Sequence, residues 1–271
     1  MSIEVLVSTM NSDENIIDKM NISSACTVIN QCNEEQYTVK MHNEKKIKFI
    51  SNMDRGLSKS RNLAINNSEE EILVIADDDL IYVDNYEEII EEQYKRNPKY
   101  DIIVFQVEGI NKKFKNYYKY ERELGYLTSM KVSSVEITLK RESIIKSGIN
   151  FNELLGSGAK YSMGEENTFL FECLKKGLKI KYVPVKIADL NIGQSTWFKG
   201  FNEKYFFDRG AVFTAMTKKL YLILIFQFAI RHWRLCKEQI GIIKSIKFMI
   251  QGHKSYKNDL IKMTNEAINS R

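Results

Sequence analysis

The sequence predicts an α/β fold with a mostly parallel central sheet, followed by a helical C-terminal extension. Three observations predict it. Short apolar, β-branched runs alternate with helical patterns up to about residue 185; one such run ends in three consecutive aspartates; and beyond about residue 200 the chain turns helical, aromatic and basic.

Ile3 to Ser8, Ala25 to Ile29 and Ile47 to Ser51 are apolar runs, each followed by polar turn residues, and read as buried strands. After Gly56, the spacing of Leu57, Arg61, Ala64 and Ile65 predicts a helix through Asn66, with Ser58 as its cap. Ile72 to Ala76 is the next strand and stops at Asp77-Asp78-Asp79. From Asp84 to about Pro98, Ile89, Ile90 and Tyr94 oppose Glu87, Glu88, Glu91 and Glu92, which predicts an amphipathic helix. Asp101 to Glu108 returns to strand. A polar aromatic stretch, Asn111 to Tyr126, precedes a strand over Val135 to Leu139 and a short helix over Arg141 to Ser147. A glycine-containing loop, Gly156-Ser157-Gly158, leads to Gly164-Glu165-Glu166 and a helix to Lys176. Lys179 to Val185 is the last clear strand.

Composition narrows the classes. With 271 residues, 44% hydrophobic and 28% charged, the chain is neither disordered nor fibrous, and it holds no internal repeat. Its longest apolar stretch, Leu220 to Ile230, falls short of the roughly 18 to 20 residues of a membrane span. The first residues lack the basic start and cleavage site of a signal peptide, so the expected location is cytoplasmic, with a peripheral place on the inner face of the membrane left open. Cys26, Cys32, Cys173 and Cys236 form no C-x-x-C pair, and His42, His232 and His253 are scattered. Neither a zinc site nor a disulfide framework is signalled.

Charge is unevenly spread. Residues 1 to 198 carry 26 Lys/Arg against 30 Asp/Glu, whereas 199 to 271 carry 14 against 5. The change in composition sets the expected domains at 1–205 and 206–271. A basic tail implies an anionic partner surface. Because its basic residues are interleaved with aliphatics, nucleic acid is not expected as the partner. Two readings of the tail stand side by side: helices packed on the first domain, and a peripheral membrane surface.

Three segments carry candidate chemistry. Three carboxylates at the end of a buried strand repel one another unless a cation neutralises them, and hard oxygen ligands suit Mg²⁺ or Mn²⁺ with phosphates completing the shell. In an extended segment Asp77 and Asp79 would share a face; the alternative is that the three are turn and helix-start aspartates preceding Asp84. Glu165 and Glu166 open a helix, where acidic residues are common simply because they complement the dipole; the glycines before them, which let a backbone approach a ligand, add a functional reading. One of them would serve as a general base. Arg61 sits in the first turns of a helix, where the dipole does not favour a cation; a nearby anion would explain it, and a solvated surface charge would do so equally. Neither a P-loop nor G-x-G-x-x-G is present.

In order, a VST strand end, N-x-x-R-G-L-S-x-S-R-N, ILVIADDD, and G-S-G-A-K-Y-x-x-G-E-E-N followed by C-x-x-x-G-x-K-I-x-Y-V-P resemble the family-2 glycosyltransferases over about residues 3 to 200. The resemblance implies the GT-A fold, a nucleotide-sugar donor and inversion at the anomeric carbon. It implies that Ser8, Thr9, Arg61, Asp77 and Asp78 lie against the nucleotide, and that Asp79, with Asp77, binds Mn²⁺ or Mg²⁺. Glu166, with Glu165 beside it, matches the catalytic base. Gly156, Ser157, Gly158 and Tyr161 would line the sugar and acceptor pocket, with Trp197 and Phe198 as stacking or core aromatics. A glycan or lipid-linked acceptor in surface polysaccharide assembly follows from the same resemblance. Two departures stand out: Asn30-Gln31-Cys32-Asn33 replaces an aspartate common after the second strand, and Asp189 to Ser195 lacks a histidine common after the last, with Asp189 or Asn191 in its place. The rivals are a sugar nucleotidyltransferase, which would need a glycine-rich nucleotide loop not found here, and a non-catalytic binding module.

Overall fold

The computed structural model describes residues 1–193 and 200–269. Along the chain run β1 (Ile3–Met10), α1 (Ile16–Lys19), β2 (Ala25–Gln31), β3 (Gln36–His42), β4 (Lys45–Asn52), α2 (Leu57–Asn67), β5 (Ile72–Asp77) and β6 (Leu80–Tyr82). Then follow α3 (Tyr86–Arg96), β7 (Ile102–Gly109), β8 (Arg122–Leu124), α4 (Tyr126–Ser129), β9 (Ile137–Lys140), α5 (Arg141–Ser147), α6 (Glu165–Lys175) and β10 (Ile180–Leu190). Four helices close the chain: α7 (Glu203–Met216), α8 (Tyr221–Arg231), α9 (Trp233–Gln239) and α10 (Ile242–Asn269).

The strands form one sheet in the order β3-β4-β2-β1-β5-β9-β7-β10-β6, with β8 also pairing β10. Strands β4, β2, β1 and β5 are mutually parallel, as are β7 and β10, so the α/β expectation with a mostly parallel core holds. The exceptions are β9, which runs antiparallel between β5 and β7, and the antiparallel edge pairings of β3, β6 and β8. Alternation along β1 explains why the middle of the sheet is covered twice. Val5 and Val7 join one buried cluster with Tyr86, Ile90 and Tyr94 of α3, while Leu6 joins another with Ala64 and Ile65 of α2 and Phe169, Leu170 and Cys173 of α6.

Several boundaries differ from the sequence reading for local reasons. Gly56, at φ 125°, takes the cap position of α2, and Ser58 instead donates its hydroxyl to the Leu155 carbonyl at 2.7 Å. The aspartate run is not extended throughout: β5 ends at Asp77, and Asp78 and Asp79 form a turn into β6, consistent with the turn preference of aspartate. Val135 belongs to a 3₁₀ turn, Ser134–Glu136, ahead of β9.

The C-terminal helices share a third buried cluster with Leu155, Tyr161 and Phe171 of the preceding part of the chain. Helices α7 and α10 cross very closely at two glycines. A Cβ on Gly210 would lie 1.8 Å from the Met249 carbonyl oxygen, and one on Gly252 1.8 Å from that of Phe207.

Candidate active site

The site forms where the C-terminal ends of β1 and β5 meet the N-terminal turns of α2 and α6. Strand register sets Ser8 opposite Asp77 and Thr9 opposite Asn30. Ser60 of α2 donates to the Ser8 hydroxyl at 2.9 Å, fixing the helix to the strand. Thr9 Oγ1 donates to Asp78 Oδ2 at 2.5 Å and holds the aspartate turn over the end of β1.

At the centre is Arg61, whose side chain is almost fully buried. Its Nη2 donates to Asp77 Oδ1 at 2.9 Å and its Nη1 to Glu165 Oε1 at 3.0 Å. These are nearby anions, so of the two readings of its place in the helix the solvated surface charge falls away. Burial opposes the guanidinium charge, but Asp77 and Glu165 outweigh it and raise the pKa above its ordinary value. The guanidinium carbon lies 5.5 Å from the Phe151 ring centroid, and Phe151 stacks on Phe169 at 4.1 Å. Arg61 is thus committed to a bridge between strand and helix, rather than presented to a ligand.

Helix α6 begins at Gly164, which sits in the left-handed region at φ 78° with Val212 of α7 packed over it. Glu165 is buried and paired to Arg61, whereas Glu166 is half-buried. Burial and the neighbouring Glu165 carboxylate push the Glu166 carboxyl up to about 8, with a backbone hydrogen bond, Arg61 and Arg209 pulling the other way. A carboxyl near neutrality is suited to proton abstraction.

The loop before α6 is seated on the start of α2. The Ser157 carbonyl accepts from Leu57 N–H at 2.9 Å, and the Cβ that Gly158 lacks would lie 3.2 Å from Gly56 Cα. Gly156, at φ 103°, backs directly on the Glu165 carboxyl, where a Cβ would fall 3.2 Å from Cδ. Ser157 and Gly158 remain exposed beside it. Asn62, whose role the sequence reading missed, clamps the same loop: Phe151 N–H donates to its Oδ1 at 2.7 Å and its Nδ2 donates to the Phe151 carbonyl at 2.9 Å. Its place directly after Arg61 in the quoted motif was the available signal.

Tyr161 is not brought to the site. Its ring is buried and its hydroxyl reaches Asp259 Oδ2 at 2.6 Å and Ser255 Oγ at 2.9 Å on α10. Trp197 and Phe198 lie outside the described residues.

The aspartate turn fits a divalent cation. Among the described residues no cation is paired with Asp78 or Asp79, and burial, then Asp77 and Asp78, push the Asp79 carboxyl up to about 6. Asp77 has its Oδ1 on Arg61, leaving one oxygen outside that bond. Among the described residues no group of three His, Cys, Asp or Glu side chains is arranged around a common point. Phosphate-handling Mg²⁺ sites typically need only one or two carboxylates. Asn191 N–H donates to the Asp79 carbonyl at 2.9 Å, while Asp189 is paired with Lys186 at 2.7 Å.

Beyond Thr9 a polar cleft of about 460 Å³ opens between the β1 and β2 ends and β3, lined in part by Asn11, Ser12, Asn30, Cys32, Asn33 and Phe49. Asn30 is occupied in building its wall, accepting from Ser12 N–H at 3.0 Å and donating to the Ser12 carbonyl at 3.1 Å.

A parallel-cored sheet with carboxylates at its strand ends and at a helix start is a fold of the GT-A type. The family model described as Glycosyl transferase family 2 matches residues 26–155 of the chain. No curated protein matches it by sequence. Its fold is similar to that of TarS from S. aureus. The TarS 1-349 structure in complex with UDP-GlcNAc superimposes with a TM-score of 0.66 at 14% identity, covering 93% of this chain and 81% of that one. A longer TarS structure gives 0.61 at 14% identity, covering 86% of this chain, which spans 44% of that one. The UDP complex gives 0.59 at 15% identity, over 86% and 72%.

Proposed function

We propose that the chain is a glycosyltransferase that takes its sugar from a UDP-sugar and moves it, with inversion, to a hydroxyl of a glycan or lipid-linked acceptor in surface polysaccharide assembly. The observation that carries the reading is the Asp77–Arg61–Glu165 bridge, because it ties the aspartate turn to the helix that starts with Glu166. The UDP-GlcNAc and UDP bound by TarS support the choice of donor.

The donor's base enters the cleft beyond Thr9, where Asn33 and Cys32 replace the acidic residue common at this place. Ser8 and Thr9 back the nucleotide, and Asp78, held by Thr9, stands at its ribose and phosphates. Asp79, with the oxygen of Asp77 that Arg61 leaves over, would hold Mn²⁺ or Mg²⁺. Such an ion neutralises the charge that develops on the departing diphosphate. Glu166 takes the proton from the acceptor hydroxyl as its oxygen attacks the anomeric carbon; the bond to the diphosphate breaks in the same displacement. Ser157 and Gly158 border the sugar, their loop kept rigid by Asn62 and Ser58.

Calorimetric titration with UDP, with and without Mn²⁺, tests the reading on the wild type and on Asp79→Ala. Metal-dependent binding that the substitution removes is expected. Binding of GDP but not UDP would change the donor class, and silence with every nucleotide would overturn the assignment of the cleft.

A further inference from the structure

Helix α8 is apolar on both sides, yet only one side is covered. Leu224, Ile225 and Ala229 are buried against the other C-terminal helices, at the spacing of a core-facing stripe. On the opposite side Ile223, Phe226 and Ile230 are 62%, 49% and 73% exposed, and Leu222 and the following Trp233 are also open. At intervals of three and four residues, Ile223, Phe226, Ile230 and Trp233 continue one face across the break into α9.

Charge says what covers this face. Lys218 and Lys219 precede the helix, Arg231 ends it, Arg234 and Lys237 follow it, and Lys244 and Lys247 open α10, while Glu238 is the single acidic residue from 218 to 247. The five at and beyond the ends of α8 and the two at the start of α10 are all exposed. An apolar, aromatic helix face ringed by cations matches an anionic bilayer, whose headgroups meet the charges and whose acyl boundary receives the side chains. No helix among the described residues is long and apolar enough to cross a membrane, so the helix would lie along the surface.

We propose that the outer face of α8, with Trp233, seats on an anionic phospholipid membrane through Ile223, Phe226 and Ile230, and that the flanking lysines and arginines hold the headgroups. This surface stands apart from the donor chemistry, and either assignment can fail without the other.

Sedimentation of the full chain with phosphatidylcholine vesicles, with and without phosphatidylglycerol, tests it. Binding is expected on the anionic vesicles alone and weakens as salt rises. The triple variant Ile223→Ser, Phe226→Ser, Ile230→Ser should bind at least about a hundredfold more weakly, and Lys218→Gln with Lys219→Gln about fivefold more weakly per charge. Circular dichroism checks that each variant is folded; if the triple variant is not, the lysine pair and the salt series decide. No sedimentation at low salt overturns the proposal, as does equal binding by the lysine variant and the wild type. A concentration-dependent dimer in the ultracentrifuge that the triple variant loses, without vesicle binding by the wild type, would assign the face to a second copy instead.

Discussion

Arg61 and Glu165, 104 positions apart in sequence, meet at 3.0 Å, each almost entirely removed from solvent. The guanidinium also holds Asp77, so one side chain of α2 connects the last residue of β5 to the first of α6. Breaking a buried pair leaves an unneutralised charge behind and typically costs about 3 to 5 kcal/mol. Arg61→Ala should lower the unfolding free energy by an amount in that range, measured by urea denaturation, and should abolish transfer. Arg61→Lys should recover only part of both, since a single ammonium cannot reproduce the two-armed geometry. A loss below about 0.5 kcal/mol, the range of ordinary surface substitutions, would mean that the bridge does not hold the site together.

The proposed roles of the two adjacent glutamates can be separated by substitution. Glu166→Gln should reduce kcat by about 100- to 10,000-fold, the usual worth of a general base, and leave UDP affinity unchanged. Glu165→Gln removes a partner of Arg61, so its main effect should be on stability, with catalysis impaired through the misplaced helix start. Steady-state kinetics and denaturant titration on both variants check this. Near-wild-type turnover in Glu166→Gln with loss in Glu165→Gln would exchange the roles.

Much of this architecture was legible in the sequence, and the exceptions share a cause. Strands β1, β2, β4 and β5 announce themselves through apolar β-branched runs, and Asp77 at the end of β5 follows from where that run stops. The antiparallel insertion of β9 was not readable, because strand direction is fixed by pairing with β5 and β7 and not by its own residues. Strand β3, Gln36–His42, is largely exposed at the sheet edge and carries no buried-strand signal. Arg61 read equally as a cation wanting an anion and as a solvated charge, because its partners come from residues 16 and 104 positions away. Tyr161 reads as part of a ligand loop until α10, nearly 100 residues later, supplies Ser255 and Asp259.

The elevated carboxyl of Glu166 gives a pH signature. A base works ionised, so kcat/KM should rise about tenfold per pH unit up to a limb near pH 8, where its carboxyl titrates, and level off above it. Stability has the opposite sign. Folding favours the protonated form, so the contribution of this group is complete below its ordinary value of 4.5 and is lost as pH rises through about 8. Glu166→Gln should therefore lose less stability than the wild type between those limits, as thermal unfolding across the pH series would reveal. A kinetic limb near 4.5 would assign the base to a carboxylate in an ordinary aqueous setting.

The contact between α7 and α10 leaves no room for a side chain at either glycine. A Cβ on Gly252 would fall 1.8 Å from the Phe207 carbonyl oxygen, a backbone atom that no rotamer change can move. Gly252→Ala must therefore push the helices apart, and overpacking of this kind typically costs about 1 to 3 kcal/mol. Val212 of α7 covers Gly164 at the start of α6, so separation on the far side of α7 also loosens the support of Glu165 and Glu166. The expected outcome is a lower unfolding free energy together with a reduced kcat, while UDP affinity, which the proposed donor site places at the ends of β1 and β5, stays close to wild type. The control is Gly177→Ala, at a position where a Cβ meets nothing within 4 Å but the backbone has φ 85°. It should cost stability through backbone strain alone and leave kcat untouched. An unchanged kcat in Gly252→Ala, despite lost stability, would separate the C-terminal helices from the positioning of Glu165 and Glu166.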